Sequence, residues 1–370
     1  MSTEQLFPLL TEENEAELER FIRVLKKVWP MKARHREHLK YDIRDMSRGL
    51  TSERSERKTD YMSEAKFQSP YLHYFLPWNL FRMSRLFSGL ELDIPDGGDV
   101  VDLGSGPLTA VLALWMSRPH LRERKLNFTC MDRAPKAMQT GLKIFQQIAG
   151  KDSPWRIKTV KAAFTDRINR KADLIIVANA LNELDWSGRV ARPQAEKLTK
   201  HLINSAKDTG RILLIETGVR LTGRVIAEMR SQMMDNGFKP IAPCPHVEEC
   251  PMPALSQSSP WCHFNFSVKG APQWLHDLSA ESKLDKDNVS MNFLYLSGKG
   301  SKAWGGVRVI SQPFRLHGGM GQYACSHKGL TLIDYGRQRP LEPGQLFAPE
   351  WPAKPKIDLK SKAIILPYKG

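Results

Sequence analysis

Four of the five cysteines in this 370-residue chain lie beyond Gly237, at Cys244, Cys250, Cys262 and Cys325, with gaps of 5, 11 and 62 residues between them. Four thiols are a donor set for soft metals. The spacing has neither the paired C-x-x-C of a zinc ribbon nor the two-cysteine, two-histidine rhythm of a finger. Three readings stay open on spacing. One is a cubane iron-sulfur cluster, whose thiolates tolerate irregular intervals and often neighbour proline. The second is zinc on the four cysteines, or on a mixture with His246, His263 or His327. The third is no metal. Three of the cysteines sit in a proline-rich stretch, Cys244 to Cys262, that follows no regular period and needs something to order it. The fifth, Cys130, stands within an apolar run and reads as core.

A second constellation is the run Val100-Val-Asp-Leu-Gly-Ser-Gly-Pro107. An apolar strand carrying Asp102 passes into Gly104, Ser105 and Gly106, where two glycines let the backbone turn sharply and approach a ligand, and a helix N-terminus behind them offers free N–H groups. The next apolar run ends at Met131-Asp132, where a carboxylate can accept bonds from ribose hydroxyls. A third segment, Asn179-Ala-Leu-Asn-Glu-Leu184, follows a later run. Asn179, Asn182 and Glu183 there either reach a cofactor or substrate or cap the following helix. There is no Asn-Pro-Pro-aromatic run to grip an exocyclic amine, and no cysteine after the fourth or fifth strand for covalent attack on a pyrimidine, unless the later cysteines supply one. The catalytic residues are therefore unknown from sequence.

The elements that must position these groups alternate in type. Strands are expected at 99–103, 126–131, 157–163, 173–178 and 211–216, with helices at 107–116, 136–148, 193–204 and 222–234. Five strands interleaved with helices predict a parallel, doubly wound α/β sheet. A helical stretch precedes them, with Leu18, Phe21, Ile22, Leu25 and Val28 at helical spacing. Tyr71-Leu-His-Tyr-Phe-Leu-Pro-Trp-Asn79 follows, aromatic-rich and expected to pack rather than to stack on bases. Beyond a strand at 288–297, a glycine-rich tail from Trp304 with short runs at 307–310, 330–333 and 363–366 predicts a small β unit, with turns at 317–321 and at Pro343-Gly344.

Charge points to a polyanionic partner. Lys and Arg number 55 against 40 Asp and Glu, a formal charge of +15, in a chain that is 41% hydrophobic and so too apolar for a disordered basic tail. The stretch Arg23 to Lys58 alone holds 12 basic against 5 acidic residues. It and the tail residues Arg308, Arg315, Lys328, Arg337, Arg339, Lys354, Lys356, Lys360 and Lys362 are expected to grip the phosphates of a nucleic acid. No run approaches the roughly 20 apolar residues of a transmembrane helix. The acidic opening, Glu12 to Glu19, has neither a signal-peptide n-region nor an Arg-rich presequence. A cytoplasmic, bacterial setting is therefore expected rather than a mitochondrial matrix, with the cysteines reduced.

The glycine loop and Asp132 together resemble class I S-adenosylmethionine-dependent methyltransferases more than nicotinamide dehydrogenases, since Thr109 leaves G-x-G-x-x-G incomplete. That resemblance implies a Rossmann-like fold in which Gly104, Ser105 and Gly106 line the methionine end and Asp132 the ribose, with Asp102 and Asn179 alongside. Taken with Tyr71–Asn79, Leu181-Asn-Glu-Leu184, Cys244-Pro-His246, Cys250-Pro251, Trp261-Cys-His-Phe264 and Cys325, the chain resembles the methyltransferase-like family associated with the small ribosomal subunit, over about residues 50 to 340. It departs at Leu108, where many members would have glycine. The resemblance implies a structural 4Fe-4S cluster on Cys244, Cys250, Cys262 and Cys325, and S-adenosylmethionine as cofactor. It implies small-subunit ribosomal RNA as partner, with methyl transfer not a fixed property of the family. The organisation so implied is a helical arm over 1–90 and a methyltransferase-like domain over 91–300 with a cysteine-rich insertion at 240–270. A β unit over 301–370 would supply the fourth cysteine. The protein is expected to be a monomer that binds neither DNA nor membrane.

Overall fold

The spacing of Leu18, Phe21 and Leu25 buries one stripe of α1 (Glu12–Val28), and the Thr11 hydroxyl caps it by accepting the Asn14 N–H at 3.3 Å. The computed structural model describes residues 4–51, 65–252, 260–298 and 305–369; residues 52–58 of the expected basic stretch and Trp304 lie outside them. After α2 (Ala33–Thr51) and α3 (Ala65–Pro70), a π-helical turn at Tyr71–Phe75 leads into α4 (Leu76–Gly89), which is buried along nearly its whole length. The aromatic segment packs, as its composition predicts. Tyr74 donates its hydroxyl to the Leu284 carbonyl at 3.1 Å, and Trp78 donates Nε1–H to Ser279 Oγ at 3.2 Å.

The apolar runs form the central sheet: β1 (Asp99–Leu103), β2 (Asn127–Asp132), β3 (Arg156–Lys161), β4 (Ala172–Ala178), β5 (Ala206–Thr217), β6 (Lys239–Ala242), β7 (Phe264–Ser267) and β8 (Asn288–Ser297). Helices α5 (Thr109–Ser117), α6 (Pro135–Ala149), α7 (Ala191–Ser205), α8 (Arg220–Asp235) and α9 (Gln273–Glu281) lie between them. The order is β3-β2-β1-β4-β5-β8-β6, with β1 to β5 parallel. One expectation needs correcting: the sheet is mixed, because β8 runs antiparallel between β5 and β6. A reversed strand is invisible to apolar-run counting, since direction depends on the connection. The architecture is the expected class I methyltransferase-like α/β fold.

β6 and β7 share one edge of β8. Lys239 pairs with Ser297 and Ala242 with Tyr295, then Phe264 pairs with Met291 and Ser267 with Asn288. They act as a single edge strand, interrupted by the excursion 243–263 that carries three of the cysteines. The tail folds into a second sheet of β9 (Val307–Val309), β10 (Phe314–Leu316), β11 (Gly319–Ser326), β12 (Gly329–Gly336), β13 (Leu346–Phe347), β14 (Lys356–Ile357) and β15 (Ile364–Pro367). Gln5 bridges to Gln345, so the N-terminal segment is tied to this sheet. No helix among the described residues is long and apolar enough to cross a membrane.

The helix expected from residue 107 begins at Thr109, because Leu108 adopts a left-handed φ of 59°. A non-glycine residue there costs roughly 1–2 kcal/mol. Its side chain is fully buried, and the facing helix makes room for it: a Cβ on Gly141 would lie 2.3 Å from the Pro107 carbonyl oxygen and 2.9 Å from Leu108 Cγ. Gly141→Ala should therefore cost roughly 1–3 kcal/mol through overpacking and lower the melting temperature by several degrees in calorimetry. An unchanged transition would mean that α6 does not press on this turn.

Candidate functional site

The glycine turn stands at the carboxyl end of β1, where ligands of open α/β sheets bind. Gly104 has φ 72° and Gly106 φ 49°. A Cβ on Gly104 would meet Ala180 Cβ at 2.5 Å, so that glycine serves packing, whereas a Cβ on Gly106 would meet nothing within 4 Å. Ser105 donates its hydroxyl to the Asp102 carbonyl at 2.7 Å and closes the turn. Asp132 reaches across from β2: its carboxylate accepts the Gly106 N–H at 2.8 Å and the Ala134 N–H at 2.7 Å. Each oxygen has a second lone-pair direction for a ligand hydroxyl. Asp102 is buried beneath, and neither of its carboxylate oxygens has a partner among the described residues. Burial, with the charge of Asp132 added, pushes its pKa up to about 7.

The segment after β4 is held by residues that sequence reasoning passed over. Asn179 has φ 55°, and its Oδ1 accepts from Arg82 Nη2 at 2.8 Å. The same guanidinium donates to Asn79 Oδ1 at 2.9 Å and to the Ser290 carbonyl at 2.9 Å. Glu216, at the end of β5, accepts from the Leu181 N–H at 2.7 Å, the Asn182 N–H at 3.3 Å and Asn182 Nδ2 at 2.9 Å. Burial raises Glu216 to about 7 and lowers Arg82 to about 10. Tyr71, in the π-helical turn, lies beside Thr109 and Asn79, with its pKa pushed up to about 12 by burial and by Glu183 and Asp132. Glu183 itself is exposed. The signals were present: Arg82 interrupts an apolar helix, and Glu216 ends an apolar strand.

The four cysteines converge. Cys244 and Cys250 from the excursion, Cys262 just before β7 and Cys325 on β11 line one cavity whose other walls come from α8, β8 and β9. Burial raises the pKa of Cys262 and Cys325 well above the ordinary thiol value and raises that of Cys250, and the neighbouring cysteines add to each shift. Two arginines face them. Arg230 donates Nε–H to Cys244 Sγ at 3.3 Å and Nη2–H to the His246 and Glu248 carbonyls at 3.3 and 2.8 Å. Burial opposes its charge, but the cysteines, led by Cys244, outweigh that and its pKa is raised. Arg308, expected among the phosphate-gripping residues of the tail, is fully buried and donates to the Pro243 and Gly344 carbonyls at 3.2 and 2.8 Å. Both faces of β9 are covered: Val307 and Val309 pack in the core of the second sheet, and Arg308 lies on the opposite face against the cysteine cavity.

Of the histidines considered as ligands, His246 Nε2 lies 3.2 Å from Cys325 Sγ, His263 stacks on Trp261 and His327 stands against Trp351. Among the described residues no group of three or more His, Cys, Asp or Glu is arranged to hold a single metal ion. Cys130 is buried in β2, as expected.

The buried carboxyls set a pH dependence. A carboxyl whose folded pKa exceeds its unfolded value near roughly 4 favours the fold while protonated. The contribution of Asp102 and Glu216 is thus fully present below that value and is lost as pH rises through about 7. Asp102→Asn should flatten the fall in melting temperature between pH 5 and pH 8. Parallel pH profiles for wild type and variant would show that Asp102 is ionised throughout.

The model of the family described as mitochondrial small ribosomal subunit Rsm22 matches residues 94–330. No curated protein matches the chain significantly. Among solved structures, magnesium protoporphyrin IX methyltransferase from Synechocystis PCC 6803 with bound SAM is 13% identical, with a TM-score of 0.37 over 70% of this chain and 96% of that one. A methyltransferase from Pyrococcus furiosus is 10% identical, with a TM-score of 0.35 over 58% of this chain and 82% of that one. The cyclopropane synthase MmaA2 from Mycobacterium tuberculosis is 11% identical, with a TM-score of 0.33 over 61% and 95%. At these values the strand order, not the likeness, carries the fold. The family match takes in the glycine turn, the Asp132 strand, the polar segment after β4 and all four converging cysteines, and the chain belongs to the Rsm22 family of the mitochondrial small ribosomal subunit.

Proposed function

We propose that the chain is a small-subunit assembly factor that binds S-adenosylmethionine at the carboxyl edge of β1 and β2, binds small-subunit ribosomal RNA, and carries a structural 4Fe-4S cluster. The observation that carries the reading is the convergence of four cysteines from separate parts of the chain on one cavity with two buried arginines. Four thiolates on a dicationic iron-sulfur core leave a dianion, and the guanidinium charges of Arg230 and Arg308 match it. Zinc on four thiolates would balance equally and is the alternative. The room now between the thiols is about 30 Å3, so seating a cluster requires them to turn outward. The small-subunit role rests on the family, and the surplus of cations supports an RNA partner.

Bound S-adenosylmethionine would supply an electrophilic methyl group. The residues that would hold it are the backbone of Gly104 to Gly106, open above Gly106, and the Asp132 carboxylate, whose free lone pairs suit ribose hydroxyls. The polar groups after β4 bond to one another: Asn179 to Arg82, and Asn182 to Glu216. That arrangement favours a binding platform over an active methyltransferase, because Asn179, Asn182 and Glu216 direct their polar atoms to holding the loop.

Anaerobic purification should give a brown protein with about four irons per chain, and Cys325→Ala should lose the iron and melt earlier. A colourless protein holding one zinc would establish the zinc alternative, and a metal-free one would sink both. Calorimetric titration should show S-adenosylmethionine binding that Gly106→Trp abolishes while RNA binding is retained. Methyl label transferred from S-adenosylmethionine into immature small subunits would overturn the platform reading in favour of an active RNA methyltransferase.

A further inference from the structure

The crossover from β3 to β4, residues 162–171, contains no helix, although parallel strands of one sheet are ordinarily joined through one. One face of β1, β2 and β3 is left partly uncovered. Register and alternation place Asp99, Asn127 and Arg156 in one row across that face and Val101, Thr129 and Lys158 in the next. Phe164 and Ile168 of the crossover pack on the core that includes Met131, and so close only the apolar end. What remains is a groove of about 500 Å3 with Arg156 and Lys158 on its floor and Arg167, Asn169 and Arg170 at its rim.

Its charge is one-sided. Asp99, the acidic residue of the lining, already binds Arg170 at 3.0 Å and Lys207 at 3.4 Å. Arg156, Lys158 and Arg167 are exposed, and among the described residues none is in an ion pair with a carboxylate. Residues 156–171 hold Arg156, Lys158, Lys161, Arg167, Arg170 and Lys171 against Asp166 alone, and Asp166 accepts the Ala163 N–H at 2.7 Å. No aromatic ring is offered to a base: Phe128 turns to the opposite face and packs on Trp155 at 4.8 Å.

We propose that this groove binds the phosphodiester backbone of RNA. Planar guanidinium forks and a lysine ammonium suit phosphate oxygens. Arg156 and Lys158 stand roughly 7 Å apart, two strand residues, close to the separation of successive phosphates in an extended strand. The inference rests on the reading that the chain binds small-subunit RNA, and it locates that contact on the sheet face rather than only in the basic arm and tail.

The test uses the full-length chain, a small-subunit ribosomal RNA transcript and fluorescence anisotropy over a range of salt. Arg156→Gln, Lys158→Gln and Arg167→Gln combined should reduce the slope of log K against log salt by about 2–3, at roughly 0.7–0.9 for each phosphate no longer neutralised, with the melting temperature unchanged. An equal charge change in the arm, Lys26→Gln, Lys27→Gln and Lys32→Gln, should reduce it less. Equal effects from both triples, or none from the groove triple, would overturn the groove. Wild-type protein that fails to bind the transcript would overturn the RNA reading itself. Polyglutamate that binds as tightly as RNA, and is lost in the same variant, would assign the face to an acidic polypeptide and overturn the RNA proposal.

Discussion

The outer edge of β8 is the constraint on which both sites depend. Because β6 and β7 take that edge in tandem, the chain must leave the sheet at Ala242 and return at Phe264. The cysteine excursion is thereby fixed over α8. Trp261 donates Nε1–H to the Gly218 carbonyl at 3.0 Å, and a Cβ on Gly223 would come within 2.6 Å of Trp261 Cδ1. The first turn of α8 therefore needs glycine for the excursion to lie down on it. Gly218 is two residues past Glu216, so the turn that seats the cysteine loop also ends the strand that organises the segment after β4. β11 then brings Cys325 from the second sheet to the same place, and ordering the cavity orders the junction between the two sheets.

Charge is buried where the fold most needs position. Arg82 is buried on α4 and joins three otherwise separate pieces: its own helix through Asn79, the end of β4 through Asn179 and the start of β8 through the Ser290 carbonyl. Removing an ion from water costs several kcal/mol, so a buried charge is weak evidence for stability. What such a network supplies is location. Leucine at position 82 would pack, but it would not choose among neighbouring turns, whereas three directed bonds from one planar group fix both the helix register and the left-handed Asn179. Glu216 does the same for Leu181 and Asn182.

Much of this could be read from the chain. β1 and β8 fall on the residues predicted, and Asp102, Gly104, Gly106 and Asp132 form the turn their spacing implies. The irregular cysteine intervals that fit no finger are explained by an excursion and a later sheet. What sequence reasoning missed is non-local. The direction of β8 depends on how its connection returns, and the roles of Arg82 and Glu216 depend on partners about 100 and 35 residues away. Arg308 carries the same charge as its exposed neighbours in the tail, and it is buried only because the cysteine excursion covers its face of β9. The basic run at 156–171 was legible in composition. A strand with alternating cations looks like a solvated edge, and only the missing crossover helix shows that part of a sheet face is open.

Leu108 shows why a motif position is a poor proxy for a distance. The glycine expected there by resemblance would let α6 and the loop approach closely. The approach is nevertheless made, because the glycine is on the other partner: Gly141 of α6 accepts the Pro107 carbonyl and the Leu108 side chain into the space a Cβ would fill. Close packing requires that one of two facing backbones lack a side chain, and it does not specify which. The cost falls on Leu108, held at φ 59°, and is offset by burying its whole side chain, roughly 1.5–3 kcal/mol. A loop built this way keeps Gly106 open above it, with Asp132 bonded to its N–H, so the geometry of the turn survives the loss of the residue that usually marks it.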